Sequence, residues 1–308
     1  MASSRAPIMV GIAPGLSHRV AVAWAADEAA RRHRPLHLLC ARHPTVEHTV
    51  REALALVAAR HPQLETVVHP PVGSLVTALR HHARTATAVV VGPLGQDASD
   101  STFATASDVL PIVAYANCPV VVVHPPGGSA PRDRLVVGVN VGWDGRRHST
   151  APLNCAFEAA RLRGVALHVL YVWRPPVLGV LDERAAMQDC RMILSQRVTT
   201  LRARYPDVEV RQEVRRGCPS RILTQEAADA LGLIVGGRGH SDLIDMLSAP
   251  VLPAVLRRAP CPVVVVPCPA ASHHSLERPR INRVRRRARS AVIPRLRRLL
   301  RPIRAHLR

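Results

Sequence analysis

The chain has 308 residues, more than one hydrophobic core usually holds, and this length favours two domains. All 42 basic residues are arginine and the net charge is +20, so a Walker-type phosphate loop is excluded because it needs a lysine. The seven cysteines form no C-x-x-C pair and no apolar run reaches the length of a membrane span, so we expect a cytoplasmic protein without a disulfide framework or a transmembrane segment.

The first half of the sequence predicts five strands that alternate with four helices. Apolar runs suited to buried strands begin at Ile8, Leu36, Val89 and Val120. The helices are predicted near residues 18–33, 47–60, 73–84 and 107–116. Alternation of this kind implies a parallel sheet with right-handed crossovers, and the continuous valine runs fit strands that are covered on both faces.

The second half repeats these landmarks in the same order. Three pairs of segments carry the repeat: Ile8–Ile12 with Leu135–Val139, Glu28–Arg32 with Glu158–Leu162, and Cys118–Val123 with Cys261–Val266. The spacing between equivalent segments grows along the chain, so the second copy carries extra residues, mainly between its second and third strands. The repeat therefore predicts two tandem α/β domains, each with a parallel sheet.

Changes in composition indicate the domain boundaries. Residues 127–133 are rich in proline and glycine, which deny helix and sheet hydrogen bonds, and we predict that they link a first domain at 1–126 to a second at 134–269. Residues 270–308 lie outside the repeat and form a basic C-terminal tail, with 13 arginines and a single acid between residues 271 and 308.

The tail has the pattern of a basic amphipathic helix, because Leu296, Leu299, Leu300 and Ile303 recur at helical spacing among arginines. Such a segment could lie on an anionic membrane surface, bind nucleic acid phosphates or dock on an acidic partner. A disordered tail without a partner is the alternative.

The repeated landmarks resemble the universal stress protein family in its tandem, two-domain form, over roughly residues 7–124 and 134–268. The resemblance implies a Rossmann-like, doubly wound sheet of five parallel strands in each domain, of the adenine nucleotide alpha hydrolase type, and domains that pair through their last strands. Val120–Val123 and Val263–Val266 would be sticky as bare edges, so we expect them to pair with each other or, in a homodimer, with a second copy.

Many members of that family bind ATP at a glycine pattern, G-x2-G-x9-G-[ST], that follows the fourth strand. Glycines let backbone N–H groups approach a phosphate, and the closing Gly-[Ser/Thr] opens a helix whose positive end favours the anion. In the second copy Gly236 and Gly239 fit the opening glycines, and Arg238 between them could pair with anionic oxygens. The closing pair is Ala249 and Pro250, which supplies no hydroxyl.

The first copy departs from the pattern in a different way. It keeps Gly92 and Gly95 but reaches Ser107 with one extra residue in between. The acid that ATP-binding members carry after the first strand, near the ribose, is Ala13 here and Asn140 in the second copy. Three interpretations stay open: degenerate loops that bind nothing, altered nucleotide binding, and intact ATP binding, with the departures counting against ATP as a cofactor.

No catalytic residue and no metal ligand is predicted. His37 and His168 stand at equivalent places in the second strands, which favours a repeated packing or hydrogen-bonding role over metal binding. The resemblance therefore implies a stress-response protein that is not an enzyme. Two alternatives are a scaffold whose basic tail binds nucleic acid or an anionic membrane, and a weak ATP-binding sensor with slow hydrolysis.

Overall fold

The computed structural model describes residues 5–13, 17–93, 106–125, 132–140, 150–174, 182–238 and 251–268. The first half of the described chain comprises β1 (Ile8–Ile12), α1 (Ser17–Arg32), β2 (Leu36–Cys40), α2 (Val46–Arg60), β3 (Thr66–Val68), α3 (Leu75–His82), β4 (Ala88–Val91), α4 (Ala106–Tyr115) and β5 (Val120–Val122). The second half comprises β6 (Arg134–Gly138), α5 (Ala151–Arg163), β7 (Ala166–Trp173), α6 (Glu183–Arg204), β8 (Val210–Arg216), α7 (Pro219–Glu226), β9 (Ala230–Arg238), α8 (Val251–Arg258) and β10 (Val263–Cys268).

These bounds match the repeat closely. The four helices predicted in the first half are confirmed, each to within about two residues at either end. The extra residues predicted in the second copy fall between β7 and β8, where α6 has 22 residues and its counterpart α2 has 15. The strands β7 and β8 are also longer than β2 and β3, with 8 and 7 residues against 5 and 3. The second half is therefore the larger at its outer margin.

The ten strands of the described chain form one sheet, in the order β3-β2-β1-β4-β5-β10-β9-β6-β7-β8. Neighbouring strands are parallel within each half, as predicted. The halves meet where β5 and β10 pair antiparallel, with Val122 opposite Val263 and Val120 opposite Val265. The expected pairing of the last strands is thus found within one chain, and it leaves neither strand an open edge for a second copy.

Helices cover both faces of the sheet. On one face α3, α4, α7 and α8 cover a single aliphatic core that runs across both halves. On the other face α1 and α2 cover the first half, and α5 and α6 cover the second. The antiparallel junction relates the halves by a rotation about an axis normal to the sheet, so equivalent helices share a face. None of the described helices is long and apolar enough to cross a bilayer.

Two equivalent glycines, one in the first strand of each half, lie directly beneath a helix. A Cβ on Gly11 of β1 would lie 2.8 Å from Leu79 Cδ1 of α3, and a Cβ on Gly138 of β6 would lie 2.8 Å from Leu223 Cδ2 of α7. Carbon atoms do not approach this closely, so a larger residue would displace these leucine side chains. Close helix packing therefore explains why a glycine recurs in both first strands.

An ion cluster joins α1 to α5 across the junction. The carboxylate of Glu28, only 5% exposed, is paired with Arg31, Arg32 and Arg163, and Arg32 also bonds to Glu158 at 2.8 Å. Burial works against the charged carboxylate, but Arg163 and Arg32 keep the pKa of Glu28 below its ordinary value. The cluster thus adds a charged contact between the halves to the β5–β10 pairing.

Candidate functional site

Parallel sheets of this kind bind ligands beyond the carboxyl ends of the strands, where the strand order reverses. The order reverses between β1 and β4 in the first half and between β6 and β9 in the second. Because β5 and β10 run antiparallel, these two edges lie at opposite ends of the molecule. Each half therefore offers its own candidate cleft.

Three residues that the sequence analysis compared with the nucleotide-binding pattern lie at the edge of the first cleft. Ala13 follows β1, Gly92 is buried directly after β4, and Ser107 is exposed in the first turn of α4. Gly95 lies outside the described residues. The structure thus brings Gly92 and Ser107 to the same edge of the sheet, and their role as ligand contacts stays a prediction.

In the second cleft the structure corrects the placement of the glycine loop. Gly236 and Arg238 lie within β9, where they pair with Val266 and Cys268 of β10. Strand pairing continues through the glycines because β10 runs on to Cys268. Gly239 lies outside the described residues, so Gly236 and Arg238 stay predicted contacts that belong to a strand rather than to a loop.

The neighbouring Gly237 has a packing role. A Cβ at this position would lie 2.8 Å from Val113 Cγ1 of α4 and 3.0 Å from Val265 Cγ1 of β10. Since α4 belongs to the first half, the missing side chain lets this helix pack on the second half across the junction. A glycine at this point of the sequence is therefore explained without a phosphate.

Sequence reasoning missed one residue of the second cleft, Arg197 of α6. Its Nη1 donates a hydrogen bond to the main-chain oxygen of Asn140 at 3.0 Å, just beyond the end of β6. The side chain is partly buried, and burial lowers the pKa of the guanidinium. No carboxylate pairs with Arg197 in the part of the chain that the structure describes, so the charge at this edge is uncompensated there.

The repeat itself carries the signal that could have found Arg197. α2 and α6 end alike, because the C-cap N–H groups of His61 and Tyr205 each bond to the carbonyl four residues earlier. Aligning the helices on these caps places Arg197 opposite Ala53, which is fully buried. A long cation in place of a buried alanine marks a position where the two copies differ in chemistry.

A histidine cluster lies near the outer margin of the first half. His37 Nδ1 of β2 and His69 Nε2 are 3.0 Å apart, and the ring of His82 in α3 lies 5.2 Å from that of His69. Within the described ranges, no group of three or more His, Cys, Asp or Glu side chains is placed to hold a metal ion. His37 therefore bonds to a neighbouring ring, which is the kind of contact expected from its place in the repeat.

The second half has carboxylates at the equivalent margin. The buried His168 lies 3.3 Å from a carboxylate oxygen of Glu213 in β8 and 3.5 Å from one of Glu226 in α7. Burial nevertheless lowers the pKa of His168, with the two carboxylates acting in the opposite direction. The same strand position thus has histidine partners in one half and acidic partners in the other.

Acidification is expected to destabilise the first half through its histidine cluster. Burial and the neighbouring His69 lower the pKa values of both His37 and His82. A base whose pKa is lower in the folded state stabilises the fold fully above its ordinary pKa of 6.5. This contribution to the free energy of unfolding falls as the pH drops below that value, because the unfolded chain then binds the proton more readily.

Urea unfolding should accordingly give a lower free energy of unfolding at about pH 5.5 than at about pH 7.5. His82→Gln should reduce the loss, whereas His48→Gln, at a site on α2 that is 69% exposed, should leave it unchanged. Equal pH dependence in the two variants would contradict the assignment.

Comparison with known proteins gives one family. The model described as the universal stress protein family matches residues 134–267. A universal stress protein of Mycobacterium tuberculosis is 31% identical, over 84% of this chain and 96% of its own length. One of Mycolicibacterium smegmatis is 29% identical over the same shares of the two chains.

Solved structures share the fold. A universal stress protein from Archaeoglobus fulgidus matches with a TM-score of 0.55 at 15% identity, over 84% of this chain and 96% of that one. The cytoplasmic domain of a prokaryotic cation chloride cotransporter matches with a TM-score of 0.53 at 12% identity, over 85% of this chain and 95% of that one. The fold is thus shared more widely than one function, but the sequence relatives decide the family: this chain belongs to the universal stress protein family.

Proposed function

We propose that the second half of this universal stress protein binds a phosphate-bearing nucleotide through Arg197, and that the protein serves the stress response by binding rather than by catalysis. The observation that carries the proposal is the partly buried Arg197 beside Asn140, without a carboxylate partner among the described residues. Guanidinium groups recognise phosphate oxygens through paired, charge-assisted hydrogen bonds. A phosphate at this edge would supply the missing negative charge.

The position of Arg197 favours altered binding over an intact ATP site. Asn140 follows β6 at the point where the strand order reverses, which is where doubly wound sheets take their ligands. The first half has Ala13 and Ala53 at the equivalent places, so it offers no comparable cation. We therefore assign one altered site to the second half and a degenerate cleft to the first.

The chemistry of the described edge residues supports a non-enzymatic role. Phosphoryl transfer needs a group that positions the attacking water and, commonly, carboxylates that hold Mg²⁺. Neither Ala13 nor Asn140 can act as a general base, and the chain has no lysine. Slow ATP hydrolysis is therefore the less favoured alternative.

A cytoplasmic location is part of the same proposal. Six of the seven cysteines are free thiols, and four of these six are buried. Unpaired cysteines in this number suit a reducing compartment.

Calorimetric titration of the full chain tests the nucleotide site. ADP is expected to bind Arg197→Met at least about tenfold more weakly than the wild type, because a hydrogen bond to a charged group contributes roughly 1.5–3 kcal/mol. Adenosine lacks the phosphate and should not distinguish the two proteins.

The arginine-rich tail attracts any polyphosphate, so the titration needs a variant of equal net charge. Arg191→Met removes an exposed arginine from the same helix and should bind ADP as the wild type does. Equal affinities for Arg197→Met and Arg191→Met would contradict the assigned site. A wild-type chain that does not bind ADP would favour the scaffold alternative.

A further inference from the structure

An open groove of about 480 Å³ lies between α2 and the carboxyl end of β3. Val46, Val50 and Leu54 form a stripe along α2, and Val68 faces them from β3. Leu54 and Val68 are 37% and 39% exposed. Grouped apolar side chains that stay this open commonly mark a surface that another apolar surface covers.

The second half shows how the fold closes the equivalent surface. Aligned on their C-caps, α2 and α6 place the stripe of α2 opposite Cys190, Leu194 and Val198. These three residues are at most 1% exposed. Trp173, at the end of β7, is fully buried in the same core cluster. Trp173 and the buried stripe of α6 therefore belong to one core.

The first half has no such side chain at its margin. β2 ends at Cys40, three residues shorter than β7, and aligning His37 with His168 places Arg42 opposite Trp173. Arg42 is exposed. The two copies therefore differ here: α6 buries this stripe, whereas α2 buries Thr49, Ala53 and Val57 and leaves the stripe open.

The chain that follows Cys268 contains a segment whose apolar residues have the spacing of a helix face, like the stripe on α2. The tail repeats its apolar residues at the spacing of one helix face, at Leu296, Leu299, Leu300 and Ile303. The stripe on α2 recurs every four residues, so it also lies along one side of its helix. Two stripes of this kind pack as neighbouring helices.

The tail is long enough to reach the groove. β10 lies five strand positions from β3, which is about 24 Å at a strand spacing of about 4.8 Å. Cys268 lies at the opposite end of the sheet from the groove, which lengthens the path to roughly 40 Å. Residues 269–295 can span roughly 90 Å when extended.

The groove offers an acidic partner to the arginines of the tail. Its lining includes one acid, Glu47, and one base, Arg51, and no ion pair of Glu47 is found among the described residues. Four arginines lie beside the apolar residues of the tail: Arg295, Arg297, Arg298 and Arg301. Any of these could pair with Glu47.

We propose that the segment Arg295–Arg301, which lies between Pro294 and Pro302, forms a helix that docks in the groove between α2 and β3 of its own chain. The docked helix covers Val50 and Leu54 much as the core of the second half covers their counterparts in α6. This contact lies in the first half, so it is independent of nucleotide binding at Arg197.

Site-specific photo-cross-linking in the full chain tests the docking. A benzophenone amino acid in place of Leu54 should form an intramolecular cross-link to residues 295–303, located by peptide mass spectrometry at the mass of a single chain. The same reagent in place of Ala59, exposed on another side of α2, should not reach that segment. The double substitution Leu299→Asp and Leu300→Asp should abolish the cross-link, whereas Leu276→Asp should preserve it.

Each other outcome overturns the proposal in an informative way. A cross-link at the mass of two chains would make a second copy the occupant of the groove. A cross-link that survives the double substitution would show a contact driven by charge rather than by the apolar face. If the benzophenone at position 54 forms no cross-link to protein, the groove is open to solvent.

Discussion

Replacement of Glu28 by glutamine is expected to lower the free energy of unfolding by about 3–5 kcal/mol, because it leaves the partly buried Arg163 without its counter-charge and Arg32 with only the half-exposed Glu158. The carboxylate of Glu28 is 5% exposed, while Arg32 and Arg163 are 19% and 15% exposed. Glutamine keeps the shape of the side chain and removes only its charge. Urea unfolding at neutral pH measures the difference.

The repeat provides a control for this substitution. Glu158 stands at the equivalent position of the second copy and bonds to Arg32 at 2.8 Å, but its side chain is 45% exposed. Glu158→Gln should therefore cost less than about 1 kcal/mol. Equal losses in the two variants would show that burial of Glu28 does not decide the strength of the cluster.

The charge of Glu28 also predicts a pH dependence. Its pKa is lower in the folded chain than the ordinary 4.5. The contribution of the carboxylate to the free energy of unfolding is therefore complete above pH 4.5 and is lost as the pH falls below that value. Glu28→Gln should therefore remove part of the acid sensitivity of the wild type below about pH 4.5, a range distinct from that of the histidine cluster.

Trp173→Ala is expected to have a similar effect, a loss of about 3–5 kcal/mol, because it removes a fully buried aromatic side chain and leaves a cavity against α6. The cavity would give the second half an open surface like the groove beside α2. Hydrogen exchange should accordingly speed up in α6, around Leu194 and Val198, before it does so in β9.

The first copy again supplies the control. Arg42 stands opposite Trp173 in the alignment of the second strands and is exposed, so Arg42→Ala should change stability by less than about 0.5 kcal/mol. A loss of less than about 1 kcal/mol for Trp173→Ala would mean that the indole is not what closes the core over α6.

The order of strands and helices could be predicted because the two halves of the sequence repeat the same landmarks. Runs of valine bounded by Gly, Pro or Cys located the strands. The segments Val120–Val123 and Val263–Val266 would be exposed edges if unpaired, and this predicted that they pair. Buried strands in a parallel sheet leave little freedom of register, so short apolar runs were sufficient to locate them.

The candidate site was harder to predict because its residues are distant in sequence. Arg197 reaches Asn140 from a helix that follows the next strand, and α6 presents a different face to the sheet than α2 does, so its buried residues differ from those of α2. The glycine pattern did not reveal that Gly236 and Gly237 continue a strand or that Gly237 makes room for α4. A pattern of small residues cannot distinguish a phosphate loop from close packing.

The ion cluster was missed for the same reason. Glu28 and Arg163 belong to different copies, and only the antiparallel junction brings α1 beside α5. Within one copy the pattern Glu28–Arg32 gives an ordinary helix end with i, i+3 and i, i+4 pairs.

Hydrogen exchange of the full chain with and without saturating ADP tests whether a single altered nucleotide site lies in the second half. We expect slower exchange at the end of β6 and in α6 near Arg197, and unchanged exchange at the end of β1 and in α2. Equal protection at both ends of the molecule, or protection confined to residues 270–308, would contradict this expectation.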